Sequence, residues 1–344
     1  MRAQLRVAAG EPLDLGQDDV VTHGHAIEVR LCAEDPTNGF LPATGTLAAF
    51  APAAWPPVRF ESGVEAGSRV TVSFDPLLAK VIAHAPTRVE AAATLASALE
   101  GLHLGGVTTN RDFLVATLRH EGFLTGDTTT DFIARYEPAR ELVLSDEERD
   151  FATTAAALWL QGRRRRDAPV LAFAPSGWRN ARLPRESVTL RHHGDHVVSY
   201  QRRRDGAFDV GDGLARIRAW SEEAIDLEYN GRRARVRVTP DGERLHVQTR
   251  RGTVSFDVLA RFSVPGAEEI HGGLVAPMPG VVLAVRAAVG QSVLAGETLV
   301  VLEAMKMEHV ITAPHDGVVT EVFVSASQQV DRGTTLLAVD GGES

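Results

Sequence analysis

Only two side chains in this sequence carry an ε-amine. Of its 36 basic residues, Lys80 and Lys306 are lysine and the other 34 are arginine. A guanidinium stays charged and is a poor nucleophile, whereas a lysine amine can be acylated. Chemistry that builds an amide on a side chain therefore has two candidate sites. Lys306 has the more suggestive surroundings. The run Leu299-Val300-Val301-Leu302-Glu303-Ala304-Met305-Lys306-Met307-Glu308-His309-Val310-Ile311 reads as a β-hairpin with Ala304 to Met307 at its tip. Met305 and Met307 flank the amine in a turn, where apolar residues are unusual. A tight turn holds the backbone and a four-carbon stem supplies reach, so Lys306 reads as a modification site with apolar neighbours for an enzyme to grip. Lys80 is assigned no chemistry.

The remaining reactive residue types offer less. His23 and His25 with Cys32, and His192, His193 and His196, are metal-ligating types, but alternation on one strand face does not make a coordination set, and no metal is expected. A single cysteine excludes an intramolecular disulfide framework and a multi-cysteine zinc site, and fits a reducing, cytoplasmic compartment. A net charge of −9 argues against bulk nucleic-acid binding. The apolar run from Leu274 to Val285 is interrupted by Pro277 and Pro279 and is too short to cross a bilayer, so no membrane is expected as a partner. The N-terminus lacks the apolar core of a secretory signal.

The elements that position the amine follow from periodicity and turn chemistry. At 344 residues the chain is long enough for two or three domains. The last 70 residues or so hold an internal repeat. Residues 276–302 align with 313–339 at a constant offset of 37, with 11 of 27 positions identical, among them Ala276-Pro277, Gly280-Val281-Val282, Gln291 and Gly296. Two copies of one all-β half imply a small domain with a pseudo-twofold axis, because neither half buries its apolar face alone. Upstream, seven alternating segments lie between Arg185 and Val264: 188–191, 196–200, 215–220, 224–229, 233–238, 244–248 and 254–258. Turn signals such as Asn230-Gly231 and Asp241-Gly242 separate them, which predicts a small antiparallel barrel. A helix precedes it, opened by the capping box Ser145/Glu148, running to about Gln161 and ending in Arg163 to Arg166, where a cationic run suits the helix dipole.

Residues 1–138 read as a third region. Strands are expected at 26–32, 45–50 and 69–74. The capping box Thr87/Glu90 opens a helix whose apolar face is Val89, Ala92, Ala93, Leu95, Ala96 and Leu99. A second helix opens at Thr109 to Asp112 and a short third spans Asp131 to Tyr136. The expected organisation is mixed α+β and multidomain. It has an α/β lobe over 1–138, a helix with an antiparallel barrel over 139–264, a linker at 265–273, and an all-β flattened barrel over 274–341.

Ala276-Pro277-Met278-Pro279-Gly280, followed by Glu303-Ala304-Met305-Lys306-Met307, resembles the biotinyl domain of biotin-dependent carboxylases. By that resemblance, biotin protein ligase recognises the folded hairpin and its methionines and joins biotin to Lys306 through an amide, with Glu303, Ala304, Met305 and Met307 as its immediate setting. A lipoyl-type carrier of an oxidative complex has the same two-half fold, but typically an Asp-Lys-Ala tip. Gly24-His25-Ala26-Ile27-Glu28-Val29-Arg30-Leu31, Gly39-Phe40-Leu41-Pro42, Phe74-Asp75-Pro76-Leu77-Leu78-Ala79-Lys80 and Thr109 to Leu114 look like the C-terminal lobe of biotin carboxylase. The middle segment, including Ser176-Gly177-Trp178-Arg179-Asn180, is similar to the domain that docks acyl-CoA carboxylase α subunits onto a carboxyltransferase β subunit. The whole order resembles the C-terminal part of an acyl-CoA carboxylase α subunit, implying a role in fatty acid metabolism through acetyl- or propionyl-CoA, with methylcrotonyl-CoA as the alternative.

The resemblance also implies what to seek elsewhere. ATP, Mg and bicarbonate are used by the family's ATP-grasp region, of which no motif is found here, so this chain alone is not expected to carboxylate biotin. A biotin carboxylase catalytic region, upstream or on a separate chain, is an expected partner. Arg59, in Val58-Arg59-Phe60-Glu61-Ser62-Gly63, matches a family arginine that contacts the biotin ring and stabilises its enolate, a role suited to a guanidinium. Residues 2–9 read as a family helix already under way, so the reading frame is expected to begin far upstream or the gene to be split; if the chain starts at Met1, the first lobe is expected to expose apolar surface.

Overall fold

The computed structural model describes residues 1–54, 58–168, 184–261, 273–304, 307–331 and 333–340. The segment Ser176 to Asn180 and most of the expected linker lie outside the described residues.

The first lobe is built on a three-stranded sheet in which Leu77–Ala85 lies between His25–Cys32 and Arg59–Ser62. One face of the central strand carries Val81, Ala83 and Ala85. These pack against the helix Arg88–Gly101 through Ala91, Ala92, Leu95, Ala96 and Leu99. Small side chains let helix and sheet approach closely, which suits a chain with few aromatics. The Thr87/Glu90 capping box forms as expected. The expected apolar face was displaced: Val89 and Ala93 are exposed, while Ala91 and Ala98 are buried in their place. Asn110 ties the next helix, Arg111–Arg119, to the sheet by accepting from Cys32 N–H at 3.0 Å and donating to the Arg30 carbonyl at 3.2 Å. The short helix Phe132–Tyr136 forms, and Glu121–Thr125, not anticipated, adds another.

Two expected strands were too long. Residues 45–50 break into Gly45–Thr46 and Ala49–Ala51. The strand expected at 69–74 stops at Val70, because Thr71 Oγ1 accepts from Ser73 N–H and Asp75 Oδ1 from Leu77 N–H. Local side-chain bonds of that kind replace the ladder with turns. The helix Arg2–Ala8 has no buried residue, and Met1, Leu5, Val7, Leu13, Leu15, Val20 and Val21 are all exposed.

The second region is an eight-stranded closed antiparallel barrel wrapped around the helix Asp146–Arg166. Its strands are Glu186–Arg191, Asp195–Arg202, Phe208–Val210, Gly213–Trp220, Ala224–Tyr229, Arg232–Asp241, Arg244–Gln248 and Thr253–Leu259. Seven match the expected segments. Phe208–Val210, three residues long, is too short for alternation to reveal. The helix continues beyond Gln161 through the expected terminal arginines, to Arg166. Every residue from Phe151 to Leu160 is buried, and these share one core with the inward side chains of the strands. A helix buried all round lies inside a core. Trp159 Nε1 donates to the Ser221 carbonyl at 3.0 Å and Trp220 Nε1 to the Trp159 carbonyl at 3.1 Å, pinning helix to barrel.

The last region consists of two four-stranded sheets over one core containing Val282, Val293, Leu299, Leu302, Val319, Val330, Leu336 and Val339. The repeat is visible in three dimensions. Gly280–Val285 corresponds to Gly317–Val322, Ser292–Val293 to Gln329–Val330, and Thr298–Ala304 to Thr335–Asp340. Each sheet combines strands from both halves. The register shift between Val282 and Ala284 recurs between Val319 and Glu321. Reciprocal backbone bonds join the halves: Val282 N–H to Gln328 carbonyl at 2.9 Å, and Val319 N–H to Gln291 carbonyl at 2.9 Å. Among the described residues no helix is long and apolar enough to cross a membrane.

Candidate functional site

The amine-bearing hairpin is held by a deeply buried strand of the last region. In Thr298–Ala304, residues Leu299 to Leu302 are all buried, because the strand is paired on both edges and packed against the facing sheet. It pairs with Met307–Thr312 in the registers Leu302↔His309, Glu303↔Glu308 and Ala304↔Met307. The ladder therefore closes with two residues of chain between its last partners. Those two, Met305 and Lys306, lie outside the described residues, as does the side chain of Met307.

The described shoulders of the tip are polar outside and tight inside. Glu303 and Glu308 are exposed and directly opposite, a like-charge pair that leaves the tip acidic. Ala304 is buried. A Cβ placed on Gly280 would lie 2.6 Å from the Glu303 carbonyl oxygen and 3.5 Å from Ala304 Cβ, so glycine is required for the neighbouring strand to approach the hairpin base. On the returning strand, His309 Nε2 is buried with no hydrogen-bond partner among the described residues, and burial lowers the pKa of the ring. Sequence reasoning missed Gly280 as a support of the hairpin. The 37-residue offset was the available signal for Gly280, since Gly317 makes the same approach to Asp340.

By the twofold relation, the hairpin corresponds to the end where Gly273–Val275 enters beside Thr335–Asp340. The described shoulders of the hairpin, Ala304 and Met307, thus lie at the opposite pole from the end where Gly273–Val275 enters. A two-residue connection that holds a single amine between acidic shoulders fits covalent attachment of a carboxylic acid cofactor such as biotin.

Arg59 is placed apart from the hairpin. It begins the strand Arg59–Ser62 of the first lobe, its side chain is 70% exposed, and its Nε lies 2.8 Å from Glu61 Oε1. The histidines are likewise dispersed. The His23 carbonyl meets His84 Nε2 at 2.7 Å, the rings of His192 and His193 stack edge to face, and His193 Nε2 lies 3.6 Å from Glu141.

Three families match successive parts of the chain: the biotin carboxylase C-terminal domain over residues 28–135, the BT domain of the methylcrotonyl-CoA carboxylase α subunit over 148–261, and the biotin-requiring enzyme domain over 273–339. The mouse mitochondrial methylcrotonoyl-CoA carboxylase subunit α is 32% identical over 90% of this chain and 46% of its own length. The propionyl-CoA carboxylase α chain of Ruegeria pomeroyi is 31% identical over 90% of this chain and 50% of its own. The chain thus spans about half the length of these relatives. Among solved structures, the biotin carboxylase domain of a Hydrogenobacter thermophilus 2-oxoglutarate carboxylase, in complex with MgADP, ADP and bicarbonate, aligns with 41% of this chain and 31% of its own at 33% identity and a TM-score of 0.40. In the content and order of its domains, this chain is similar to about half of a methylcrotonoyl-CoA or propionyl-CoA carboxylase α subunit, matching in turn the biotin carboxylase C-terminal domain, the BT domain and the biotin-requiring enzyme domain.

Proposed function

We propose that the chain is the carboxyl-carrier and docking portion of an acyl-CoA carboxylase, with biotin attached to Lys306. The observation that carries this reading is the hairpin: its closed ladder, its acidic shoulders and its place opposite the chain's entry fit a mount for the one ε-amine between its strands. Biotin protein ligase is the proposed modifying enzyme, forming an amide at Nζ. Once attached, biotin supplies a ureido nitrogen able to take up a carboxyl group and give it back. The chain's own contribution is transport. A tethered carrier raises the effective concentration of its cargo at each of two sites without dissociating. The two sites are an ATP-, Mg- and bicarbonate-using biotin carboxylase region and a carboxyltransferase β subunit docked by the helix-filled barrel. The linker expected at 265–273, between barrel and carrier, is the proposed tether.

Acetyl- or propionyl-CoA is the proposed acceptor class. Methylcrotonyl-CoA is the second reading, favoured by the names of the BT-domain family and of the mouse relative. A reducing cytoplasm is the proposed setting, in keeping with the one free cysteine, Cys32. Streptavidin blotting and mass spectrometry of the Lys306 peptide test the carrier assignment: a biotin mass shift supports it, and a lipoyl shift or bare lysine in a biotin-replete host rejects it.

A further inference from the structure

The first lobe and the barrel meet along buried polar groups that the carrier reading does not use. Thr253, at the start of the last barrel strand, is 9% exposed. Its hydroxyl accepts from the Leu104 N–H of the lobe at 3.0 Å, lies 2.7 Å from Gln248 Oε1 and is 3.3 Å from His103 Nδ1. His103, 4% exposed, places Nε2 2.8 Å from Thr239 Oγ1 of the barrel. Arg111 of the lobe, also buried, donates to the Thr253 carbonyl at 3.1 Å, and Gln248 Nε2 donates to the Glu100 carbonyl at 2.8 Å. The His246 ring packs on Gly105, where a Cβ would stand 2.3 Å from it, so only glycine admits this contact.

The protons close in one arrangement. With its proton on Nδ1, neutral His103 donates to Thr253, whose hydroxyl then accepts twice and donates once, to Gln248. The free Nε2 lone pair accepts from Thr239. A second proton on His103 would be buried beside Arg111, Arg237 and His246, all cationic or able to become so. The nearby acids are engaged elsewhere. Asp241 faces His246 Nε2 at 3.6 Å, Asp257 bonds Arg244, and the Glu100 carboxylate bonds Arg119.

We infer that this seam locks the barrel onto the lobe, fixing the root of the carrier arm that follows Leu259, and that acid releases it. The structural claim is independent of biotin; its meaning for transport rests on the carrier reading. Burial first, and then the positive neighbours, lower the His103 pKa to about 4, and burial lowers that of His246. A histidine whose folded pKa is depressed favours the closed form above its free pKa of about 6.5, and that contribution fades as pH falls toward the folded value. The seam is therefore complete at pH 7.5 and weakens between about 6.5 and 4.

Scanning calorimetry of the biotinylated full chain tests this. At pH 7.5 lobe and barrel should unfold in one transition, which Thr253→Val splits in two and Thr253→Ser preserves. Lowering the pH should split the wild-type transition. In His103→Gln the splitting should move down by about one pH unit or vanish, since the titrating group is gone. Separate wild-type transitions at pH 7.5, a Thr253→Val trace identical to wild type, or the same splitting pH in His103→Gln would overturn the inference. Should Thr253→Val fail to fold, the pH comparison with His103→Gln decides. Streptavidin binding, followed in parallel, reports on the carrier assignment separately, because these substitutions lie outside the biotinyl domain.

Discussion

The two halves of the C-terminal domain share strands, register shifts, glycine contacts and reciprocal backbone bonds, yet differ at one pole. In the first half, Thr298–Ala304 turns back as a hairpin toward Lys306; in the second, Thr335–Asp340 runs to the chain's last residues. Equivalent scaffolding therefore supports the proposed attachment hairpin in one place and chain entry and exit in the other. The scaffold does not create reactivity. It presents whatever the connection holds, so chemistry and stability should be separable by substitution.

The sharpest break is Lys306→Arg. Biotin incorporation should fall to background while the melting temperature stays within about 1 °C of wild type, since the change keeps the positive charge and its expected cost is only about 0.5 kcal/mol; residual incorporation would place the attachment elsewhere. Next come Gly280→Ala and Gly317→Ala, whose added methyl would lie 2.6 Å from the Glu303 carbonyl and 2.5 Å from the Asp340 carbonyl. Each should destabilise by about 1–3 kcal/mol. Only Gly280→Ala should also slow biotinylation when measured at equal folded fraction, because only it disturbs the hairpin base. Equal biotinylation rates would show that the tip is indifferent to its support.

A smaller pair tests the equivalence of the cores. Val282→Ala and Val319→Ala, at fully buried symmetric positions, should each lose about 2 kcal/mol in urea unfolding, matching one another within error. A marked difference would mean that the halves are not mechanically alike. The smallest effect is expected from Glu308→Gln. It removes one of two opposed carboxylates and should raise stability by about 0.2–1 kcal/mol, an advantage that shrinks in high salt.

Much of this site was legible from residues alone. The rarity of lysine, the methionines beside Lys306 and the 37-residue offset are all local or strictly periodic, and a hairpin between apolar strands is a short-range structure. The capping boxes at Thr87 and Ser145 were readable for the same reason. The strand expected at 69–74 failed because Thr71 and Asp75 divert the backbone into turns, a competition that alternation does not register. Val89 follows the helical period but points to solvent, because the sheet packs on the alanine side of its helix.

Composition, repeat and turn chemistry, written along the chain, were enough to point to one acylatable amine between two copies of a half-fold. Two features needed distant residues to meet. The helix after Ser145 lies within the barrel, which no sequence period distinguishes from lying beside it. The lobe is also joined to the barrel through Thr253 and His103, 150 residues apart. Local preference reaches a few neighbours along the backbone; the burial that makes a histidine neutral or a helix central depends on what folds over it.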